Sequence, residues 1–176
     1  MISGANNIAY IQLGSNMGNR EKYLMLAIKE IENKNIIITK KSSIFETEAW
    51  GEKNQAAFLN CVIQVACTQN PFELLEILLD IEILFGRKRN NYSKWKERVI
   101  DLDVLFYNSA IINNKNLIVP HPQIQYRKFV LIPLNEIASN FIHPILNKPI
   151  NQMLLDCTDN LSVIKIKDFF NDLPII

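Results

Sequence analysis

Four extended segments lie between Ile8 and Tyr107, and only two helical segments separate them. Residues 8–13, 36–46, 58–68 and 99–107 carry the β-branched and aromatic side chains of strands, whereas Leu24, Ala27, Ile28 and Ile31 repeat at the i, i+3, i+4, i+7 spacing of a helix with one buried face. A doubly wound parallel sheet needs a crossover for nearly every strand, so this arrangement predicts an antiparallel α+β sandwich. The second helix is the best punctuated. Asn70 is its N-cap, Pro71 takes the first helical position, Glu73 sits where a capping box needs it, and Gly86 closes the end. Leu74, Leu78, Ile81 and Phe85 form its core stripe. Beyond Tyr107 we expect short strands near Ile111 and at 117–119, helices over 129–138 and 150–157, and a last strand over 163–166. Residues 47–57 hold no sustained period and contain a Gly, which predicts a loop long enough to be functional.

A chain of 176 residues is expected to form one domain, 1–176, that closes a core without a disulfide or metal staple. Cys61, Cys67 and Cys157 are odd in number and form no C-x-x-C, and His121 and His143 are the only histidines, so structural zinc is not expected and the thiols read as reduced core residues. Nineteen Lys and Arg against 18 Asp and Glu argue against a general nucleic-acid or anionic-membrane binder; any polyanion site must be local. Residues 1–7 lack the features of a secretory signal and no apolar run reaches bilayer-spanning length, which makes the cytosol the expected location.

The clearest strand, 99–107, also carries the clearest chemistry. Its period of two places Ile100, Leu102, Val104 and Phe106 on a core face and Asp101, Asp103, Leu105 and Tyr107 on the other. Alternate residues on a strand stand about 6.5–7 Å apart, so the two carboxylates project side by side from a rigid element. Adjacent anions on a half-buried sheet repel each other unless a cation sits between them, and an oxygen-only platform suits Mg²⁺, which takes its other ligands from water and phosphate. A solvated strand face with each Asp paired to a surface cation is the plain alternative. Immediately upstream, Arg87, Lys88, Arg89, Lys94, Lys96 and Arg98 stand against a single acid, Glu97, with Tyr92 and Trp95 interleaved. Cations next to cation-seeking carboxylates are what a metal–triphosphate complex requires. Glu82 lies in the last turn of its helix, where the macrodipole disfavours an anion; either it pairs with an Arg or accepts from a ligand, or it is an exposed glutamate. No Walker-type loop and no kinase motif set occurs.

Seven stretches, in order, carry a resemblance: Ala9-Tyr-Ile-Gln-Leu-Gly-Ser-Asn-Met-Gly-Asn-Arg20, Phe45-Glu-Thr-Glu48, Phe58-Leu-Asn60, Gly86-Arg-Lys-Arg89, Arg98-x-x-Asp-Leu-Asp103, Pro120-His-Pro122 and Arg127-x-Phe-Val-Leu-x-Pro-Leu134. Together they resemble the 6-hydroxymethyl-7,8-dihydropterin pyrophosphokinases of folate biosynthesis, from about Ile8 to Pro144. The resemblance implies a ferredoxin-like antiparallel sheet with helices on both faces, a three-layer α/β/α sandwich. It implies Mg²⁺-dependent transfer of pyrophosphate from ATP to the pterin hydroxymethyl group, with AMP released and two Mg²⁺ ions held by Asp101 and Asp103. Arg87 and Arg98 match phosphate-contacting catalytic arginines, and Glu82, Arg89, Trp95, His121 and Arg127 join them in the ATP site. Phe58 and Phe129 match the two aromatics that stack the pterin, Asn60 the residue that reads its edge, and Thr47 and Trp50 the rest of that wall. The partners implied are ATP and the pterin, with no nucleic acid, no membrane and a monomeric chain.

Several positions depart from the family pattern. Ala49 stands for a common Pro, Trp50 for a smaller aliphatic, Lys96-Glu97 for Gly-Pro, and Asn116 and Ile118 for polar or basic residues that touch the nucleotide in some relatives. Two other functions share parts of this residue set. A nucleotidyltransferase also uses a Gly-Ser turn and an acidic pair, but Ser15 and Asp101 lie far apart in the chain. An RNA-binding module would also carry basic and aromatic residues together, but no RNP-type aromatic strand is present and the acidic pair would repel RNA.

Overall fold

The computed structural model describes residues 7–49, 55–87 and 98–168. Strand β1 (Asn7–Ser15) leads into helix α1 (Arg20–Asn33), then β2 (Ile37–Lys41), β3 (Ile44–Thr47), β4 (Phe58–Cys67), α2 (Pro71–Leu84) and β5 (Asp101–Tyr107). A small hairpin, β6 (Ile112–Asn113) and β7 (Ile118–Val119), precedes α3 (Lys128–Ala138), α4 (Ile150–Asp156) and β8 (Val163–Lys167). Trp50, Arg89 and Trp95, with Tyr92, Lys94, Lys96 and Glu97, lie outside the described residues.

The main sheet runs β5-β1-β4-β3-β8, with every pairing antiparallel and β2 joined to β4 beyond β3. Thus α1 leaves β1 and returns one strand away, beyond β4, while α2 leaves β4 and returns beyond β1. These two split βαβ units give the ferredoxin-like order. β2 and β3 form one interrupted strand beside β4, pairing with residues 63–66 and 58–60 respectively. Ser42 fills the break. Its N–H donates to the Val62 carbonyl at 2.9 Å, its Oγ accepts the Val62 N–H at 2.9 Å, and the hydroxyl donates to the Ser43 carbonyl at 2.8 Å. A side-chain oxygen thus replaces the ladder partner that the kink removes.

Each face of the sheet has its own core. Ile11, Leu13 and Val65 meet Leu24, Ile31, Leu74 and Leu78 on the side of α1 and α2, whereas Tyr10, Val62 and Phe106 meet Val130, Leu134 and Met153 on the side of α3 and α4. This is the three-layer sandwich. The expected helix signals at α2 are all in place: Asn70 accepts from the Phe72 and Glu73 N–H groups, Glu73 closes the capping box, and Gly86 follows the last turn at φ +89°, where a side chain would be strained. Cys61 and Cys67 are buried and Cys157 is half-buried, all as free thiols.

One assignment on β5 is corrected. Tyr10 pairs with Phe106 but Ile11 with Val104, so Leu105 is an extra residue opposite β1 and the alternation inverts beyond it. Phe106 therefore joins the α3–α4 core and Tyr107 the α1–α2 core, the reverse of a strict period of two. Asp101 and Asp103 precede the bulge and keep their common face.

The turn after α3 is organised by His143. Its N–H donates to the Lys148 carbonyl, its Nδ1 accepts the Ile145 and Leu146 N–H groups at 3.2 Å, and its ring stands edge-on to Phe106 at 5.4 Å. Burial pushes its pKa below the ordinary 6.5. The unfolded chain therefore takes up a proton that the folded one refuses: the stability His143 supplies is complete above pH 6.5 and is lost as pH falls toward its folded value. Melting curves between pH 7.5 and 5 should show the wild type losing more stability than His143→Asn, which can still accept but cannot titrate; parallel losses would contradict this.

Candidate active site

On the α3 side of the sheet, three strands contribute a polar row. Gln12 of β1 donates through Nε2 to Asn60 Oδ1 on β4 at 2.9 Å, and Asn60 donates through Nδ2 to Thr47 Oγ1 on β3 at 2.7 Å. All three side chains are buried. Gly14 lies directly opposite Asn60 in the ladder, and a Cβ there would stand 2.9 Å from Asn60 Oδ1, so the amide occupies the space that a side chain at position 14 would take. Phe58, at the start of β4, and Phe129, in the first turn of α3, line the same cavity of about 660 Å³. Arg127, the N-cap of α3, holds its guanidinium 5.7 Å from the Phe129 ring centroid.

A second cavity, of about 680 Å³, opens on the other side of β5. Its apolar wall is Phe72, Leu75 and Leu79 of α2, and Lys115, Asn116 and Ile118 face them from the hairpin. Asp103 and His121 line both cavities, so the two spaces meet there.

β5 is the edge strand on this side, and its outward main-chain groups need partners from elsewhere. Glu82 supplies one, accepting the Leu102 N–H through Oε1 at 2.8 Å, and the His121 N–H supplies another to the Leu105 carbonyl at 3.0 Å. Glu82 is thus buried, 1% exposed, and ion-paired with Arg87; it is not the exposed glutamate that its helix position also allowed. Burial first and Asp101 second push its pKa up to about 8.

The acidic pair is asymmetric. Asp101 is held by Arg87 at 2.7 Å on Oδ1 and by Arg98 on Oδ2. Asp103 makes no ion pair within salt-bridge distance among the described residues; burial, and after it the Asp101 charge, push its pKa up to about 7 against the opposing pull of Arg127, Arg98 and Arg87. A carboxyl so raised is one whose burial no close cation among the described residues repays. Asn16 fixes where the chain re-enters at Arg98, donating its N–H to the Arg98 carbonyl at 3.0 Å and accepting the Arg98 N–H on Oδ1 at 2.6 Å.

His121 is neutral at pH 7, because burial and then the Arg127 charge lower its pKa to about 4. Its Nδ1 accepts the Gln123 N–H at 3.2 Å, which leaves the ring proton on Nε2 as a donor. No set of three or more His, Cys, Asp or Glu among the described residues could hold a metal by itself. Two hard carboxylates on one face, one of them without an ion pair among the described residues, nevertheless suit a cation that completes its shell from water and phosphate.

Residues 10–139 match the 7,8-dihydro-6-hydroxymethylpterin-pyrophosphokinase (HPPK) family. The chain belongs to that family. It is 47% identical over 134 residues to the 2-amino-4-hydroxy-6-hydroxymethyldihydropteridine pyrophosphokinase of Bacillus subtilis (strain 168), covering 76% of this chain and 79% of that protein. The enzyme of the same name from Aquifex aeolicus (strain VF5) is 42% identical over 143 residues, covering 81% and 88%. Among solved structures, wild-type Plasmodium falciparum HPPK-DHPS superposes with a TM-score of 0.65 at 16% identity, over 85% of this chain and 44% of that one. That likeness shows the HPPK fold, and this chain spans less than half of the HPPK-DHPS chain.

Of the residues expected from sequence, the structure gathers Thr47, Phe58, Asn60, Arg98, Asp101, Asp103, His121, Arg127 and Phe129 around the first cavity and places Glu82 and Arg87 in the second. Asn116 and Ile118, two of the departures from the HPPK pattern, stand in the second cavity's wall. Sequence reasoning missed Gln12 and Gln123. Gln12 had a signal, an amide in the middle of an otherwise apolar strand; Gln123 had none.

Proposed function

We propose that this chain, as an HPPK, transfers the β,γ-pyrophosphoryl group of ATP to the hydroxymethyl oxygen of 6-hydroxymethyl-7,8-dihydropterin and releases AMP, with two Mg²⁺ ions at Asp101 and Asp103. One observation carries the reading: a cavity built for a flat polar ring and a second, apolar-walled one meet at a carboxylate and a neutral histidine donor. The ring lies between Phe58 and Phe129, where stacking fixes its plane, and Asn60 with Thr47 offers its edge both a donor and an acceptor. The nucleotide lies along α2, its triphosphate turned toward Arg87, Arg98, Arg127 and the His121 Nε2 proton. When bound at the two aspartates, Mg²⁺ neutralises charge across the triphosphate oxygens.

In this arrangement the hydroxymethyl oxygen forms a bond to the β-phosphorus and gives up its proton to water, while the bond from that phosphorus to the α,β-bridging oxygen breaks and its electron pair leaves on the AMP oxygen. A loose phosphoryl-type transition state leaves the protein little covalent work, so positioning dominates: the stacked ring aims the hydroxymethyl group and the arginines hold the chain of phosphates.

Incubation with ATP, Mg²⁺ and the hydroxymethyl pterin should yield AMP and pterin diphosphate, and chelation should stop it. Free pyrophosphate as product would favour a nucleotidyltransferase, and ADP or no turnover would overturn the reading. Gly14→Ala bears on the ring pocket. Because Asn60 is pinned from both sides, the added methyl must displace the amide, and the KM for the pterin should rise about tenfold with kcat changed less; an unchanged KM would remove Asn60 from the site.

A further inference from the structure

We infer that Asp159 is a positioning residue for the ring pocket: it caps the first turn of α3 from outside the helix and, through the segment that follows it, braces that turn against β3. This rests on the reading that the first cavity takes the pterin ring.

The start of α3 carries two residues that line the cavity, Arg127 as the N-cap and Phe129 in the first turn. A helix start leaves its first N–H groups without partners, and an N-cap side chain ordinarily supplies an acceptor. A guanidinium has only donors, and its positive charge opposes the helix dipole, so Arg127 supplies no side-chain cap. Its carbonyl takes the Val130 and Leu131 N–H groups, both at 3.0 Å. The Lys128 N–H, between the two cavity residues, donates instead to Asp159 Oδ2 at 2.9 Å, 31 residues farther along the chain. A distant carboxylate thus takes the place of the cap that Arg127 cannot provide, and it brings the negative charge that a helix N-terminus favours.

The other carboxylate oxygen ties the same turn to β3. Asp159 Oδ1 accepts the Leu161 N–H at 3.1 Å, a local turn that leads the chain into β8. There the Ser162 carbonyl accepts the Glu48 N–H at 3.3 Å, and Val163 lies opposite Thr47. Thr47 and Glu48 line the same cavity as Arg127 and Phe129. Residues 159–163 therefore form a strap between two parts of one pocket wall. Farther along β8, Lys165 reaches Glu136 in the last turn of α3 at 3.5 Å, so the strand is held to that helix at its other end as well. The strap lies beyond the residues that match the HPPK family, 10–139.

Both donors to Asp159 are main-chain N–H groups and a carboxylate only accepts, so the sense of each bond is fixed. The side chain acts through the main chain of Lys128 on the neighbouring ring. Without the cap the first turn frays, and Phe129 loses the fixed position from which it stacks the pterin.

The test is equilibrium binding of the hydroxymethyl pterin, well below the melting temperature, with Mg²⁺ and an α,β-methylene ATP analogue held at saturation. Wild type and Asp159→Ala are compared, and then Phe129→Ala with and without Asp159→Ala. Loss of the cap and strap should weaken binding about fivefold. In the Phe129→Ala background the same substitution should cost less than about twofold, because the ring it positions is gone. Wild-type affinity in Asp159→Ala would overturn the inference, and so would an equal loss in both backgrounds, the result of a merely structural role. Should Asp159→Ala fail to fold by its melting curve, Asp159→Asn decides in its place. An amide has one oxygen for two N–H donors, so one of the two bonds is lost, and binding should weaken about threefold, again only where Phe129 is present. Wild-type protein that binds no pterin would overturn the proposed function, a result distinct from pterin binding that the Asp159 substitutions leave unchanged.

Discussion

Asp103→Asn should abolish turnover, by about a thousandfold or more, while making the metal-free protein more stable than wild type. The two effects share one cause. Carboxylates about 6.5–7 Å apart repel by about 2–3 kcal/mol at an effective dielectric of about 20, and Asp103 has no ion pair of its own among the described residues to offset this. An amide of the same shape removes both the cost of burying the charge and the repulsion, and allowing for the opposing pull of Arg127, Arg98 and Arg87 we expect a net gain of about 1 kcal/mol, or about 2–4 °C in melting temperature at pH 8 with chelator present. Asp101→Asn should behave oppositely in stability. Its carboxylate is the shared partner of Arg87 and Arg98, so neutralising it leaves two guanidinium groups facing each other. Opposite signs for the two neighbouring substitutions, measured by melting, separate a charge held for function from one held by its neighbours. Equal losses of stability, or Asp103→Asn turning over near the wild-type rate at saturating Mg²⁺, would contradict the assignment.

Glu82→Ala should be the most damaging single change to the frame around the site. It takes the acceptor away from the Leu102 N–H, which lies between the two aspartates on the outer edge of β5, and strips Arg87 of one of its two carboxylates. Removing one member of a buried, hydrogen-bonded pair costs about 3 kcal/mol, which for a chain of this size lowers the melting temperature by about 6–12 °C. Glu82→Gln should cost clearly less than Glu82→Ala, since an amide oxygen still accepts from Leu102 and only the charge facing Arg87, which burial already opposes, is lost. If Ala and Gln cost the same, Glu82 does not hold the strand that carries the acidic pair.

How far the sequence foretold this arrangement follows from which forces are local. The helix α2 was legible because its cap, first-turn Pro and terminal Gly are contacts within a few residues. The aspartates were legible because two residues on one strand share a face whatever the rest of the chain does, provided no bulge intervenes. Leu105 shows the limit. Nothing in the spacing of residues 99–107 announces an extra residue opposite β1, and the faces of Phe106 and Tyr107 exchanged. Glu82 was ambiguous for a related reason: its partners, Leu102 and Arg87, become neighbours only when α2 packs beside β5, and the helix position alone suggests solvent. The neutral state of His121 depends on burial and on Arg127, neither of which a Pro-His-Pro triplet contains. Gln12 was visible as an oddity in an apolar strand, but its partner depends on the register of β1 against β4 and on the space left by Gly14.

The most direct trial of the whole account is to locate a divalent cation. Crystals grown with Mn²⁺, the α,β-methylene ATP analogue and a pterin, measured at the manganese absorption edge, should give anomalous density in contact with a carboxylate oxygen of both Asp101 and Asp103, at about 2.1–2.2 Å, with the triphosphate on its other side. Anomalous density elsewhere, or a triphosphate bound with neither aspartate touching a metal, would contradict it.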